Sequence, residues 1–269
     1  IRDLRMSRGL GDVYKRQRMN IPEFPEDILM DGLKKLISLD SNWVRKGYGN
    51  SLYIRPFIFA SQATVQASPS EEYKFIIICS PAKSYYNDPK FNVLIAEKFS
   101  RAANGGVGYA KAAGNYGASF YPASIALKKG YQQIIWTDAD KHMYIEEAGT
   151  MNIFIRLENK LITAPTNDRI LDGVTRKSII QIAEDMGIEV EIRPISVDEL
   201  IKASKKGTLK EIFGAGTAVV ILSITGFGYQ NIDYKIKSIQ DSYAEKLKKA
   251  ITDIQYNISD DPHHWTVAI

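Results

Sequence analysis

The first patterned segment along the chain is PEDILMDGLKKLISLDSNWV. There Ile28, Leu29, Leu33, Leu36 and Ile37 recur at helical spacing behind the breakers Pro22 and Pro25. Two extended runs come next. LYIRPFIFA and YKFIIIC read as strands, and the unbroken apolar letters of the second are those of a buried one. SYYNDP is polar and turn-rich, so residues 85–89 are expected to connect a smaller unit, residues 18–84, to a larger one, residues 90–269. In the larger unit FNVLIAE and QQIIWTD read as strands flanking a helix from about Ser119 to Lys129, stopped by Gly130. MNIFIRL and KLITAP read as a hairpin turning near Glu158 and Asn159. VTRKSIIQIAEDMG is a helix with Ile179, Ile182, Ala183 and Met186 on one face, ended by Gly187 and followed by a strand. LKEIFGAGTAVVILSI is a strand pair around a glycine turn, and YAEKLKKAITDIQY is a closing amphipathic helix. Strands and helices in this mixture predict an α/β or α+β fold with mixed sheets.

Composition narrows the function classes. With 269 residues, 45% of them hydrophobic, the chain can bury a substantial core in one large or two medium domains. The net charge of +4 is spread among acidic residues without the basic stripe that nucleic acid requires. No apolar run approaches the roughly 18 residues of a membrane span, and no signal-peptide pattern opens the chain. A single cysteine, Cys79 in FIIIC, reads as a buried inert thiol and fits a reducing, cytoplasmic setting. The first 17 residues carry five arginines or lysines and no pattern continuous with the chain from Arg18 onward, so they are set aside as a non-native or misassembled leader.

The candidate chemistry centres on GGVGYAKAAGNYG, residues 105–117, where Lys111 stands among glycines and alanines with no obvious charged partner. The letters fail both phosphate-loop patterns, because Lys111 lies between Ala110 and Ala112 and occupies the place of the third glycine in GxGxxG. Small neighbours do let a flat ligand approach the amine. A lysine in a low-dielectric pocket readily gives up its charge, and a neutral amine forms a Schiff base with an aldehyde cofactor. Pyridoxal 5'-phosphate is such a cofactor. It also calls for a carboxylate at its ring nitrogen, a donor to its phenolate oxygen and amides at a helix start for its phosphate. Glu147 in EEAGTMNIF, Tyr116 in AGNYG and GVTR at 173–176 are the candidates.

Taken together, GGVGYAKAAGNYG, EAGTMNIF, ILDGVTRKSI, FGAGTA and DIQYNISDDPHHW resemble the class IV (fold type IV) aminotransferases, and among them the branched-chain amino acid aminotransferases. The likeness runs from about Arg18 to Ile269. It implies a fold type IV architecture of two domains, the small N-terminal one incomplete, the large one, 90–269, binding the cofactor. It implies that Lys111 bonds to the cofactor and moves the proton at the substrate's alpha carbon, that Glu147 faces the ring nitrogen, and that Tyr116 faces the phenolate oxygen. Val174, Thr175 and Thr217 are implied at the phosphate. For the substrate it implies Tyr53 and Arg55 of YIRP, Thr217 and Ala218 of the GAGTA turn, Tyr85 in the connector, and Val65 and Ala67 on a loop reaching the partner subunit of a homodimer. The implied reaction moves the amino group of leucine, isoleucine or valine to 2-oxoglutarate, with glutamate as the product, and back. The alternatives are a catalytically impaired fragment of that enzyme, a D-amino acid aminotransferase or an aminodeoxychorismate lyase.

Other residues are expected to be quiet. Tyr53 and Arg55 also read as alternate residues on one strand face, and Glu146 reads as the solvated neighbour of Glu147. His142, His263 and His264 are expected at the surface without metal spacing, and no metal site is expected. Ala218 to Ile221 stand where a redox CxxC would lie, so no thiol switch is expected. The missing start of the small domain leaves no motif-matched arginine for the phosphate in residues 1–17 and is expected to leave sheet edges open.

Overall fold

A computed structural model of the chain describes residues 16–82 and 90–267; the connector at 85–89 with Tyr85, and all but the end of the leader, lie outside them. The smaller unit holds helix α1 (Glu26–Asp40) and an antiparallel pair, β1 (Ser51–Ala60) and β2 (Tyr73–Ala82), registered from Ser51↔Ala82 to Ala60↔Tyr73. Two strands give little cover. Leu33 is buried on α1, but Ile28 is exposed, and the FIIIC run is half-buried to exposed rather than buried. Cys79 is therefore only partly covered, against expectation, because β2 has β1 as its one sheet neighbour among the described residues and meets α1 on a small area. Phe24 stacks on Phe75 at 4.5 Å between ring centroids.

The larger unit is built on a ten-stranded sheet in the order β10-β9-β6-β5-β4-β3-β11-β12, with β7 pairing β6 and β8 pairing β7. Its strands are β3 (Asn92–Ile95), β4 (Gln133–Thr137), β5 (Ile145–Ala148), β6 (Met151–Leu157), β7 (Lys160–Thr163), β8 (Glu189–Ile192), β9 (Leu209–Gly216), β10 (Val220–Ile224), β11 (Gly226–Tyr229) and β12 (Ile232–Lys235). Helices α2 (Ala113–Lys128), α3 (Val174–Asp185), α4 (Val197–Lys206) and α5 (Tyr243–Gln255) cover it. The sheet is mixed: β3 runs parallel to β4 and β11, β7 parallel to β8, and the other pairs are antiparallel.

Strand β6 shows why MNIFIRL is apolar throughout. Successive side chains of a strand point to opposite faces. Ile153 and Ile155 join one core with Ile212 and with Val197 and Leu200 of α4, while Phe154 joins a second with Phe213, Ile179 of α3 and Leu247 of α5. Phe154 and Phe213 stack at 5.2 Å, and each fully buried side chain of this size contributes about 1.5–3 kcal/mol. The hairpin turn falls where expected, with Glu158 at φ +50°. Helix α3 buries Ile179, Ile182 and Ala183 as read, but Met186 is the C-cap and is 45% exposed, since the helix ends before its side chain reaches the core. Helix α2 begins six residues earlier than read, which places Tyr116 in its first turn. No described helix is long and apolar enough to cross a membrane.

Pairing brings one end of the sheet together. Glu147 on β5 lies opposite Asn152 on β6, and Asn152 lies opposite Ala215 on β9. The turn after β9, with Thr217 and Ala218, therefore emerges beside Glu147 at the same end.

Candidate active site

Glu147 is 5% exposed, yet its carboxylate is fully engaged. Arg101 Nη2 lies 2.5 Å from Oε1, and Oε2 accepts hydrogen bonds from Asn152 Nδ2 at 3.3 Å and from the backbone N–H of Leu171 at 3.2 Å. Burial pushes its pKa up to about 7, against the lowering pull of Arg101, the Leu171 amide and, at longer range, Lys111. Lys111, 36 positions earlier in the sequence, is thus near enough for its charge to favour the ionised form of Glu147.

The lysine loop is fixed from behind. Asn115 of α2 donates to the carbonyls of Val107 at 2.8 Å and Ala110 at 2.9 Å, and the Tyr109 amide donates to the Asp168 carbonyl at 3.0 Å. Gly108 is needed there: a Cβ would lie 2.7 Å from both Arg169 Cα and the Asp168 carbonyl oxygen. Lys111 itself is exposed rather than held in a dry pocket, since its neighbours Ala110, Ala112 and Ala113 are too short to cover it. It makes no hydrogen bond or ion pair with another described residue.

The loop at 168–173 closes the site on the other side. Asn152 Nδ2 also donates to the Leu171 carbonyl at 2.8 Å, and Gly173 is the N-cap of α3. Gly173 has no side chain with which to cap α3, and Val174 and Thr175 stand in the first turn of that helix. Glu146, read as the solvated neighbour, is instead 5% exposed and paired to Arg169 Nε, because β5 is covered on both faces here. Burial raises its pKa as well.

Other expected residues fall into two groups. Tyr116 is half-buried in the first turn of α2, and Thr217 and Ala218 are exposed in the β9–β10 turn, just before Val220 opens β10 at φ +59°. Tyr53 and Arg55 stand on β1 and touch each other, with Arg55 Nη2 donating to the Tyr53 hydroxyl at 3.2 Å; no hydrogen bond joins them to Glu147 or Lys111. The smaller unit reaches the lysine loop through Arg18, whose Nη2 donates to the Gly105 carbonyl at 3.0 Å. Val65 and Ala67 are exposed on the loop between β1 and β2, Val65 completely so. His142 and His263 are half-buried, contacting Thr137 and Asp185, while His264 is exposed. Arg101, Asn115, Asn152 and Arg169 were missed from the sequence: Asn152 is part of EEAGTMNIF and Arg169 lies just before LDGVTR, but nothing in the letters pairs them with an acid.

The amino-transferase class IV family model matches residues 16–227. A probable branched-chain-amino-acid aminotransferase of Staphylococcus epidermidis is 42% identical over 256 residues, which cover 94% of this chain and 72% of that protein. Among solved structures, the branched-chain aminotransferase of Thermoproteus uzoniensis with norvaline matches with a TM-score of 0.78 at 22% identity, over 94% of this chain and 79% of that one. The branched-chain amino acid aminotransferase of Thermobaculum terrenum in its PLP-bound holo-form matches at 0.74 and 19%, over 94% and 78%. The chain belongs to the class IV aminotransferases, within their branched-chain-amino-acid aminotransferase family.

Proposed function

We propose that this enzyme moves the amino group of leucine, isoleucine or valine to 2-oxoglutarate, and back, with pyridoxal 5'-phosphate held by Lys111. One observation supports the reading: the exposed amine of Lys111 lies within electrostatic reach of a buried carboxylate, Glu147, whose charge is costly where it stands. The donor set suits the cofactor. A carboxylate at this place favours a protonated ring nitrogen beside it, and the N-terminus of a helix favours a phosphate. When bound, pyridoxal phosphate supplies an aldehyde for the lysine and an electron-accepting ring for the carbon that loses its proton.

The protein's own residues would divide the remaining work. Lys111 holds the cofactor and then carries the alpha proton, already placed at the bond to be broken. Glu147 keeps a proton on the ring nitrogen, and the Tyr116 hydroxyl donates to the phenolate oxygen. The amides of Val174 and Thr175, with Thr217, bind phosphate. Thr217 and Ala218 would face the substrate carboxylate, with Tyr53 and Arg55 on the small-domain side, and Tyr85 is assigned to the substrate by the family resemblance. A branched aliphatic side chain gains about 0.8 kcal/mol per methylene buried in an apolar pocket. The exposed Val65 and Ala67 loop, and exposed Phe120, Tyr121 and Leu127 on α2, fit cover by a second copy in a homodimer working in the cytoplasm.

The test is borohydride reduction of the pyridoxal-phosphate-loaded protein followed by peptide mapping. The label is expected on Lys111 and absent from Lys111→Ala, with leucine and 2-oxoglutarate turned over only by the former. Cofactor trapped on another lysine would refute the assignment.

A further inference from the structure

We infer that Arg101 is the positioning residue of this site, supporting the charged form of Glu147 against its burial and tying the lysine loop to the 168–171 loop. The inference rests on the reading that Glu147 serves the cofactor's ring nitrogen. One nitrogen, Arg101 Nη2, lies 2.5 Å from Glu147 Oε1, donates to the Gly108 carbonyl at 3.3 Å and donates to the Arg169 carbonyl. Gly108 is three residues before Lys111, and Arg169 is two before Leu171, whose amide holds the other oxygen of Glu147. The two side chains are 8% and 7% exposed, so little water screens them.

The charges acting on Glu147 are Arg101 and Lys111 in its favour and Glu146 against it. Glu146 is answered by Arg169, which also reaches Asn104 of the lysine loop. Lys111 is exposed, and its amine is the group that would react. That leaves Arg101 as the buried cation in contact with Glu147. Without it, burial and Glu146 would drive the acid to its neutral form, which cannot stabilise a protonated ring nitrogen. A lysine at 101 keeps the charge but carries it on a flexible stem, without the rigid planar group that fixes Nη2 among these three acceptors.

The test uses the cofactor-free full chain, with glutamate carboxyl carbons labelled for NMR and the Glu147 signal assigned by its loss in Glu147→Gln. Arg101→Met is expected to raise the Glu147 titration midpoint by about one pH unit or more. Arg101→Lys is expected to leave the midpoint within roughly half a unit while speeding hydrogen exchange at the amides of Gly106, Tyr109 and Ala110. An unmoved midpoint in a folded Arg101→Met protein overturns the inference. Should that variant fail to fold, unchanged exchange in Arg101→Lys overturns it instead. Neither readout involves cofactor, so failure of the wild-type protein to take up pyridoxal phosphate would count against the functional reading alone.

Discussion

Replacing Gly173 with alanine tests the junction between helix α3 and the buried acid. The backbone at Gly173 has φ −73° and ψ 134°, a conformation that alanine adopts freely. If backbone freedom were all that mattered, the substitution would stabilise the protein by about 0.4–1 kcal/mol, by restricting the unfolded chain. The surroundings predict the opposite sign. A Cβ at 173 would lie 2.2 Å from Asn152 Oδ1, against an ordinary contact of about 3.5 Å. Asn152 is 6% exposed and held on its amide side by the Leu171 carbonyl and Glu147. To make room it must break the 2.8 Å bond to Leu171, leave that carbonyl unpaired, and withdraw a donor from Glu147. An unpaired buried acceptor costs about 1–3 kcal/mol and overpacking about 1–3 kcal/mol, so Gly173→Ala should destabilise by about 3 kcal/mol. At about 2–4 °C per kcal/mol for a protein of this size, thermal unfolding followed by circular dichroism should show a fall of about 10 °C.

The same variant should raise the titration midpoint of Glu147, because its charged form has lost a hydrogen bond. A double-mutant cycle isolates the cause: in an Asn152→Ala background the obstacle is gone, and Gly173→Ala should then be neutral or slightly stabilising. A melting temperature unchanged or raised by Gly173→Ala in the otherwise native protein would refute the packing argument.

Glu147 also makes stability depend on pH. Its value in the folded protein, about 7, exceeds the ordinary value of 4.5, so the folded state binds the proton more tightly. The stabilisation is complete below about pH 4.5 and is lost as pH rises to about 7, a change of about 3 kcal/mol with no further loss above. Cofactor-free melting curves should therefore fall across that window in the native protein relative to Glu147→Gln; parallel curves would contradict it. Away from the site, Arg156 Nη1 meets Glu211 at 3.0 Å, and Glu211 accepts from the amides of Tyr243 and Ala244 at the start of α5. Arg156→Met leaves that acid buried and should cost about 3–5 kcal/mol in chemical denaturation, whereas a loss under about 1 kcal/mol would show the pair to be dispensable.

The parts of this arrangement that can be read from the sequence are the local ones. The β6–β7 hairpin is written in neighbouring letters, and the buried face of α3 in residues three and four apart, so both are legible. Helix α4 goes unread although Ser196 caps it by accepting from the Glu199 amide and Gly207 ends it at φ +75°, because its VDELIKASKK is short and polar between stronger signals. The β11–β12 pair turns at Gln230 and Asn231, both at positive φ, which glycine-based turn rules overlook. In the candidate site, motif spacing alone singles out Lys111 and Glu147 as the proposed pair. Glu146 is misread, since alternation along a strand predicts an exposed neighbour only when one face meets water. Arg101 is invisible because its partner is 46 residues away in sequence, and only the order of β3, β4 and β5 in the sheet brings them together.

That order also explains why the protein tolerates an acid where burial opposes its charge. Replacing Glu147 with an amide would end its ionisation cost but leave the buried guanidinium of Arg101 without its anion. The acid is kept partly charged by Arg101, Asn152 and the Leu171 amide, each supplied by a different segment. Those segments also fix the lysine loop and the start of α3. The contacts that hold the carboxylate are thus the contacts that assemble the site, so a change weakening one should disturb both the proton equilibrium of Glu147 and the placement of Lys111. A site assembled from independent parts would show those two effects separately. Coupled movement of the Glu147 midpoint and of loop protection in Gly173→Ala, whose side chain touches neither Arg101 nor Lys111, is the outcome that separates the two arrangements.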